Sequence, residues 1–141
     1  MLQKATEIDF PHLINLWERS VRASHNFLPE EEISHLKPLI LNEYFYHVLL
    51  HKYVQDDHII GFIGTSSDNI EMLFIDPDFR GKGIGSILTN FAITTLKIEK
   101  VDVNEQNPQA VGFYKKLGFK IIGRSELDGQ AKPYPILHLK I

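Results

Sequence analysis

The sequence predicts one α/β domain over residues 1–141, with a mixed α+β sheet that has a single parallel strand pair at its centre. Strand patterns separated by short polar turns fill residues 46–75, which indicates antiparallel neighbours. An amphipathic helix pattern then lies between two apolar strand patterns, and a strand–helix–strand crossover makes those two strands parallel. With 43% hydrophobic residues, the chain carries enough apolar material for one core.

The first third of the chain is predicted to hold one strand and two helices. Residues 2–6 form an opening strand, and Asp9 caps a helix that has Pro11 in its first turn. The acidic run 30–32 begins the second helix, because carboxylates are favoured at a helix N-terminus. Pro38 is expected to end or kink that helix.

The rest of the chain predicts six more strands and two more helices, which gives a seven-stranded sheet flanked by four helices. Polar turns at 55–57 and 66–69 connect an antiparallel meander, and Gly118 stops the last helix. The predicted strands are 48–54, 58–64, 70–75, 100–104, 119–124 and 136–141, and the predicted helices are 84–95 and 107–117.

Composition and charge argue against several classes of protein. A formal charge of −3 does not suit a general nucleic-acid binder, which normally carries a basic face. The absence of cysteine excludes disulfides, cysteine nucleophiles and thiolate metal sites, and the histidines are too scattered to predict a metal site. The first residues do not resemble a signal peptide, and no apolar run reaches the roughly 18 residues that span a bilayer. A cytoplasmic protein is therefore expected.

A glycine-rich segment, Arg80-Gly81-Lys82-Gly83-Ile84-Gly85, lies between the strand 70–75 and the helix that follows it. The first N–H groups of a helix have no partner inside it and, with the helix dipole, favour an anion such as a diphosphate. Glycine lets the backbone approach the phosphate oxygens, and Arg80 and Lys82 add positive charge. The spacing is neither a Walker loop nor a good dinucleotide fingerprint, and such glycines also make ordinary turns. The favoured interpretation is a phosphate-bearing ligand at this helix start.

A second segment, from Asn104 to Phe119, reads N-E-Q-N-P-Q-A-V-G-F-Y-K-K-L-G-F. Together the two segments strongly resemble the GNAT superfamily of acetyl-CoA-dependent N-acetyltransferases. The first matches the family's [RQ]-x-x-G-x-[GA] loop, and the second matches its N-x-x-N-x-x-A-x-x-F-Y-x-x-x-G-F segment. The order of the predicted elements also fits this family over nearly the whole chain. Within it, residues 20–28, 103–116 and 129–135 look like the bacterial YjaB-type acetyltransferases.

The resemblance implies the GNAT fold, with acetyl-CoA as cosubstrate where the sheet splays between strands 70–75 and 101–104. In this family the pantetheine arm pairs with the backbone of the first strand, and the diphosphate lies on the N–H groups of the glycine segment. From the residues alone, Asn107 is equally an N-cap for the helix that follows, and one side chain can do both. The implied acetyl-CoA contacts are Leu73, Phe74, Ile75, Arg80, Gly81, Lys82, Gly83, Ile84, Gly85, Ser86, Asn104, Asn107 and Tyr114.

Tyr114 is the general acid that the resemblance implies, and it would protonate the departing CoA thiolate. A phenol has a pKa of about 10, so it still holds its proton at neutral pH. By residue type alone, Tyr114 is also an ordinary core aromatic beside Phe113.

The general base stays open between three groups. A lysine acceptor arrives protonated, since its pKa is about 10.4, and must lose a proton before it attacks. Glu71 is the first candidate, because strand alternation puts it on the face of Leu73 and Ile75, although it is equally an exposed strand glutamate. His25 is the second candidate, because imidazole suits proton transfer and the loop after the first helix commonly lines the acceptor side in this family. A water chain is the third.

The remaining predictions concern the acceptor and the partners. Trp17, Phe27 and His25 are expected along the acceptor pocket, with Asn26 and Tyr44 near them, although each aromatic side chain also suits simple packing. The resemblance implies direct transfer in a ternary complex to a primary amine, on a protein lysine or a small molecule, by a monomer or a homodimer. An inactive CoA-binding or protein-interaction module is the alternative. No nucleic-acid, membrane or metal partner is expected.

Overall fold

The computed structural model describes residues 1–24 and 27–141, and all bounds below refer to these ranges. The strands are β1 Leu2–Lys4, β2 Leu49–Gln55, β3 His58–Ser66, β4 Asn69–Ile75, β5 Lys100–Asn104, β6 Lys120–Ser125 and β7 Ile136–Lys140. The α-helices are α1 Phe10–Ser24, α2 Glu30–Asn42, α3 Ile84–Thr94 and α4 Pro108–Lys116. One mixed sheet has the order β1-β2-β3-β4-β5-β7-β6, which confirms the predicted fold class. No helix of the described ranges is long and apolar enough to cross a membrane.

Helices cover the sheet on both faces, and β3 shows how the two cores are separated. Phe62 and Ile63 are neighbours in β3 and are both fully buried, so their side chains point to opposite faces. Phe62 packs in a cluster with apolar residues of α1 and α2, including Leu13 and Ile33. Ile63 packs in a second cluster with residues of α3 and α4, including Leu88. Two apolar layers therefore hold the central strands in place.

The central strands β4 and β5 are parallel, but they pair only where they begin. The paired residues are Asn69 with Lys100 and Ile70 with Val101. Beyond these two pairs, the facing edges of β4 and β5 have no strand partner among the described residues, while β4 stays paired with β3 as far as Ile75. The predicted splayed parallel pair is therefore confirmed, and it opens a wedge toward the carboxyl ends of the two strands.

The start of α1 differs from the prediction. A 3-10 turn over Glu7–Asp9 leads directly into α1, so Thr6 is the N-cap and Asp9 is not. The Asp9 carboxylate instead accepts a hydrogen bond from the Thr6 N–H at 3.0 Å and one from the Lys52 ammonium at 2.8 Å. Asp9 therefore closes a capping box from inside the first turn and ties this turn to β2.

Helix α2 also differs, because it continues through Pro38 to Asn42. Of the two outcomes expected at Pro38, an end of the helix is wrong. A proline inside a helix removes one backbone hydrogen bond, but Ile33 and Ile40 are buried on either side of it and hold both parts of α2 against the core. Tertiary packing therefore outweighs the local preference of proline.

Candidate active site

The glycine loop, residues 80–83, presents backbone N–H groups at the start of α3. Gly81 has a φ of 75° and Gly83 a φ of 84°, in the left-handed region that favours glycine. No atom lies within 4 Å of the place where a Cβ would stand at either position, so the backbone conformation and not crowding requires glycine. The N–H of Ile87 donates to the Gly83 carbonyl at 3.0 Å. The N–H groups of residues 84–86 precede it and have no acceptor inside the helix.

An ion pair that sequence reasoning missed fixes the approach to this loop. The Arg19 guanidinium of α1 donates to both oxygens of Asp76, at 2.6 and 3.0 Å, and its bond with Asp76 raises the pKa of Arg19. Asp76 follows β4 directly and also accepts the N–H of Asp78 at 2.9 Å. Arg80 directly follows the short turn Pro77–Phe79, and its guanidinium donates to the Ser20 carbonyl at 3.2 Å. Helix α1 therefore holds both ends of the short turn that precedes the glycines.

A cavity of about 440 Å³, the loop cavity, lies between the glycine loop, β4 and α4. Arg80, Gly81 and residues 83–86 line one side of it, and Leu73, Phe74, Ile75 and Asn107 line it as well. Lys82 is not among the lining residues, and its ammonium lies over the Phe79 ring, 5.4 Å from the ring centre. The loop cavity therefore brings together ten of the thirteen residues that the sequence analysis assigned to acetyl-CoA.

Asn107 connects the glycine-loop side to the splayed strands. Its side-chain oxygen accepts the N–H of Ala110 at 3.3 Å, so it is the N-cap of α4. Asn107 also lines both the loop cavity and a second cavity between β4, β5 and α4. Its amide NH₂ group is not used by the cap and remains able to donate to a ligand.

The second cavity, the strand cavity of about 400 Å³, contains Tyr114 and Asn104. Tyr114 is 5% exposed, and its ring packs edge-on against Phe113 and Phe119 with centroid distances of 5.1 and 5.6 Å. Burial raises the pKa of the Tyr114 hydroxyl above its ordinary value, so the phenol keeps its proton. The side-chain oxygen of Asn104 is buried and has no hydrogen-bond partner among the described residues.

Glu71 lines the same strand cavity, but it does not reach it by strand alternation. It is the extra residue of a β-bulge, because Thr65 pairs with Ile70 and Gly64 pairs with Met72. Ile70 and Leu73 therefore pack in one cluster although they lie three positions apart, so strand alternation is interrupted at Glu71 and does not determine where its side chain points. The Glu71 carboxylate is exposed and accepts hydrogen bonds from the Ser66 hydroxyl at 2.7 Å and the Asn69 amide at 2.9 Å.

The strand cavity also contains Asp102, which sequence reasoning missed. Val101 and Val103 are both buried in the core on the α3 and α4 side, so the residue between them faces the opposite side of the sheet. The alternation in the predicted strand Lys100–Asn104 was the signal that could have identified it. Within the part of the chain that the structure describes, Glu71 and Asp102 are the charged residues that line this cavity.

The residues predicted for the acceptor wall lie in different surroundings in the structure. Trp17 is 4% exposed and packs in the α1–α2 core, so it lines neither cavity. Phe27 is half-buried, with its ring centre 6.0 Å from that of Tyr134 in the β6–β7 loop. The Tyr44 hydroxyl accepts a hydrogen bond from Gln130 of the same loop at 2.8 Å. His25, together with the neighbouring residue 26, lies outside the described residues.

Comparison with known proteins identifies the family of this chain. A model of the GNAT acetyltransferase domain matches residues 26–130. Two proteins named peptidyl-lysine N-acetyltransferase YjaB are similar to the chain. The Salmonella typhimurium protein is 46% identical over 90% of this chain and 88% of its own length, and the Escherichia coli protein is 44% identical over 90% and 86%.

Solved structures show the same architecture. The solution structure of apo YjaB from Escherichia coli matches with a TM-score of 0.88 and 41% identity, and covers 99% of this chain and 95% of that one. The crystal structure of PaiA N-acetyltransferase from Thermoplasma acidophilum in complex with coenzyme A matches with a TM-score of 0.78 and 24% identity, over 100% and 98% of the two chains. The second likeness concerns the fold alone.

Proposed function

The chain belongs to the GNAT acetyltransferase family, and we propose that it transfers the acetyl group of acetyl-CoA directly to the side-chain amine of a protein lysine. The observation that carries the proposal is the strand cavity, in which the Tyr114 ring, Glu71 and Asp102 share one space at the splayed strands. Two carboxylates suit a cationic amine, and a protonated phenol suits a departing thiolate. The two relatives named peptidyl-lysine N-acetyltransferases support lysine as the acceptor.

The residues of the wedge suit acetyl-CoA, which supplies an activated acetyl thioester when it is bound. The β5-facing edge of β4 offers backbone groups to an extended pantetheine arm, as an added strand would use them. The N–H groups at the start of α3 suit the diphosphate. The buried side-chain oxygen of Asn104 has no hydrogen-bond partner among the residues that the structure describes, and a pantetheine amide N–H would supply a donor to it in the strand cavity.

Each reacting proton has a candidate residue in this chain. Glu71 removes a proton from the acceptor ammonium, because its exposed carboxylate lines the cavity and water reaches it. Tyr114 donates its hydroxyl proton to the thiolate that leaves. The chain has no cysteine, so the acetyl group passes to the amine without a cysteine acyl-enzyme. The wedge contributes mainly by aligning the amine with the thioester.

Acetyl-CoA and protein lysines are both available in the cytoplasm, where we place this enzyme, acting as a monomer or a homodimer without a membrane partner. Lys82 contributes charge near the diphosphate without lining the cavity. Phe27 and His25 remain candidates for the acceptor wall, while the burial of Trp17 favours a packing role.

The cofactor half of this proposal is tested by calorimetric titration with acetyl-CoA. Wild-type protein should bind with micromolar affinity, and Gly83→Glu should lose binding, because it places a carboxylate and a strained φ in the diphosphate site. Gly112→Glu adds the same group at an exposed position of α4 where nothing crowds it, and should bind normally. A well-folded wild type that does not bind acetyl-CoA would contradict the proposal.

The transfer half is tested with lysine peptides and mass spectrometry. Wild type should add 42 Da, the mass of an acetyl group, to the lysine side chain of Nα-acetyl-Gly-Lys-Gly amide and of unfolded protein substrates. Tyr114→Phe is the control that keeps the ring and removes the acid. Binding of acetyl-CoA without acetylation of any lysine substrate would leave a CoA-binding module and reject the transferase assignment for lysine.

A further inference from the structure

Three polar side chains form a continuous hydrogen-bonded row across β5, β7 and β6. Asp102 Oδ1 lies 2.6 Å from His138 Nδ1, and His138 Nε2 lies 2.7 Å from the Ser125 hydroxyl. Asp102 and His138 are direct partners in the β5–β7 ladder, so the sheet itself fixes their separation. With a carboxylate at Nδ1, that nitrogen carries the proton and donates it, and Nε2 accepts from Ser125.

This row lies on the open face of the sheet. Leu137 and Leu139 flank His138 and are buried in the α3–α4 core, just as Val101 and Val103 flank Asp102. Alternation therefore turns Asp102 and His138 away from that core. Helix α1 packs on β3 and β4, and the side chains of His138 and Asp102 are 36% and 44% exposed.

Asp102 connects the row to the reacting groups. It lines the strand cavity together with Tyr114, and it also lines a neighbouring cavity of about 430 Å³ that contains His138. Its Oδ1 accepts from His138, whereas its Oδ2 has no hydrogen-bond partner among the described residues. One oxygen of Asp102 is thus held by the sheet, and the other is available to a cation in the strand cavity.

We propose that Asp102 is the residue that binds the ammonium group of the acceptor, and that His138 is a positioning residue that holds the Asp102 carboxylate in place. The inference rests on the proposed lysine transfer. Glu71, on the opposite strand of the wedge, removes the proton, while Asp102 determines that the acceptor is a cation. A carboxylate with one fixed oxygen loses less side-chain freedom when it binds an ammonium, so its contribution appears as affinity for the acceptor.

The hydrogen-bonded order Ser125–His138–Asp102 resembles the triad of serine hydrolases. Its surroundings nevertheless favour a role in positioning Asp102 over a role of Ser125 as a nucleophile. Ser125 lines neither the strand cavity nor its neighbour, so neither of these two cavities brings a substrate to its hydroxyl. The other charged groups in the neighbouring cavity are Asp68, Glu71 and Lys100, and Lys100 pairs with Asp68 at 3.4 Å. On the strand of His138 itself, Lys140 pairs with Glu99 at 3.8 Å.

The test measures KM and kcat separately for Nα-acetyl-Gly-Lys-Gly amide. Asp102→Asn should raise KM for this peptide about tenfold, as expected when a charge-assisted contact is lost, with kcat changed less than about twofold. The peptide in which norleucine replaces lysine keeps the four-carbon side chain and lacks the ammonium group. As an inhibitor it should bind wild type and Asp102→Asn equally, because only the ammonium contacts Asp102. Asp57→Asn, in the exposed β2–β3 turn, is the matched control and should leave both constants unchanged.

The role of His138 is tested by replacement with three side chains. His138→Asn keeps an N–H donor near the Nδ1 position and should retain most of the wild-type KM. His138→Gln, with its amide near the Nε2 position, and His138→Leu both lose the donor to Asp102 and should raise KM severalfold. If KM stays near the wild-type value in His138→Asn but rises in His138→Gln and His138→Leu, the effect comes from positioning of Asp102 and not from a loss of stability. Calorimetry with acetyl-CoA should give the same affinity for all variants, which shows that the wedge is intact.

The outcomes distinguish this inference from the proposed function. An Asp102→Asn variant that lowers kcat and leaves KM unchanged, or that weakens the norleucine peptide as much as the lysine peptide, would overturn the ammonium contact. Equal effects of His138→Asn and His138→Leu would overturn the positioning role. A wild type that binds acetyl-CoA but acetylates no lysine would reject the proposed function and, with it, this inference.

Discussion

Arg19 and Asp76 lie 57 residues apart in the chain and join helix α1 to the end of strand β4 by a two-pronged ion pair. Asp76 is buried and its partner is half-exposed, with side-chain exposures of 10% and 52%. Since Asp76 also caps the short turn before the glycine loop, the pair transmits the position of α1 to the loop that is proposed to bind the diphosphate.

Replacing Arg19 should therefore weaken both stability and cofactor binding. Arg19→Met leaves the buried Asp76 carboxylate with the Asp78 N–H as its one hydrogen-bond partner among the described residues. Removing the partner of a buried polar group in this way costs about 1–3 kcal/mol of unfolding free energy. Urea unfolding and acetyl-CoA titration measure the two effects. Arg124→Met removes surface ion pairs with Glu105 and Glu126 and is the matched control, in which neither quantity should change noticeably. Unchanged acetyl-CoA affinity in Arg19→Met would contradict the anchoring role.

Tyr114→Phe should lower kcat by about 100-fold or more, the range of a lost general acid, because the CoA thiolate then leaves without a proton. Stability should change little, because the ring contacts with Phe113 and Phe119 remain. Steady-state kinetics with saturating acetyl-CoA give kcat, and thermal unfolding gives the stability. Tyr46→Phe, at an exposed position, is the control. A kcat within a few-fold of wild type would remove Tyr114 from the mechanism.

Glu71→Gln should lower kcat at neutral pH and lose less activity as the pH rises. The base is needed only while the lysine is protonated, and free amine increases toward the lysine pKa of about 10.4. The ratio of wild-type to variant kcat, measured from pH 7 to 10, should therefore fall steadily. Glu126→Gln, which removes an exposed carboxylate outside both cavities, should give a constant ratio near one. A large ratio that does not change with pH would identify Glu71 as a structural residue of the bulge.

The sequence predicts the parts of this site that short segments determine. The glycine loop, the N-cap at Asn107 and the helix end at Gly118, whose φ is 104°, all follow from local residue preferences and appear where they were expected. The splayed strand pair follows from the crossover rule together with the family resemblance. These features need no knowledge of distant contacts.

Features that depend on distant residues were not predicted. The bulge at Glu71 arises from the pairing of β4 with β3, and no residue type in β4 signals it. The Arg19–Asp76 pair joins two elements whose proximity only the packed fold establishes. At Pro38 the local preference was known, but burial of the isoleucines on both sides outweighs it.

The buried histidine of β2, His51, should make the protein less stable in acid. His51 is 8% exposed, its ring packs 4.7 Å from that of Phe91, and its Nδ1 has no hydrogen-bond partner among the described residues. Burial, and secondarily the charge of Lys4, lower the pKa of His51 below its ordinary value. The folded protein therefore binds this proton less readily than the unfolded chain, where the histidine pKa is about 6.5.

The sign of the effect follows from this difference. Above about pH 6.5, His51 is unprotonated in both the folded and the unfolded protein and does not affect the pH dependence of stability. Below about pH 6.5, His51 is protonated first in the unfolded chain. The free energy of unfolding therefore falls by up to about 1.4 kcal/mol per pH unit until the pH reaches the pKa of His51 in the folded protein. His51→Leu, which replaces the ring with an apolar group of similar volume, should match or exceed wild-type stability at pH 7.5. Its advantage should grow as the pH is lowered to 5. Urea unfolding of both proteins across this range measures the difference, and the remaining histidines cancel because both proteins contain them. A constant difference between the two curves would show that His51 titrates equally in the folded and unfolded states.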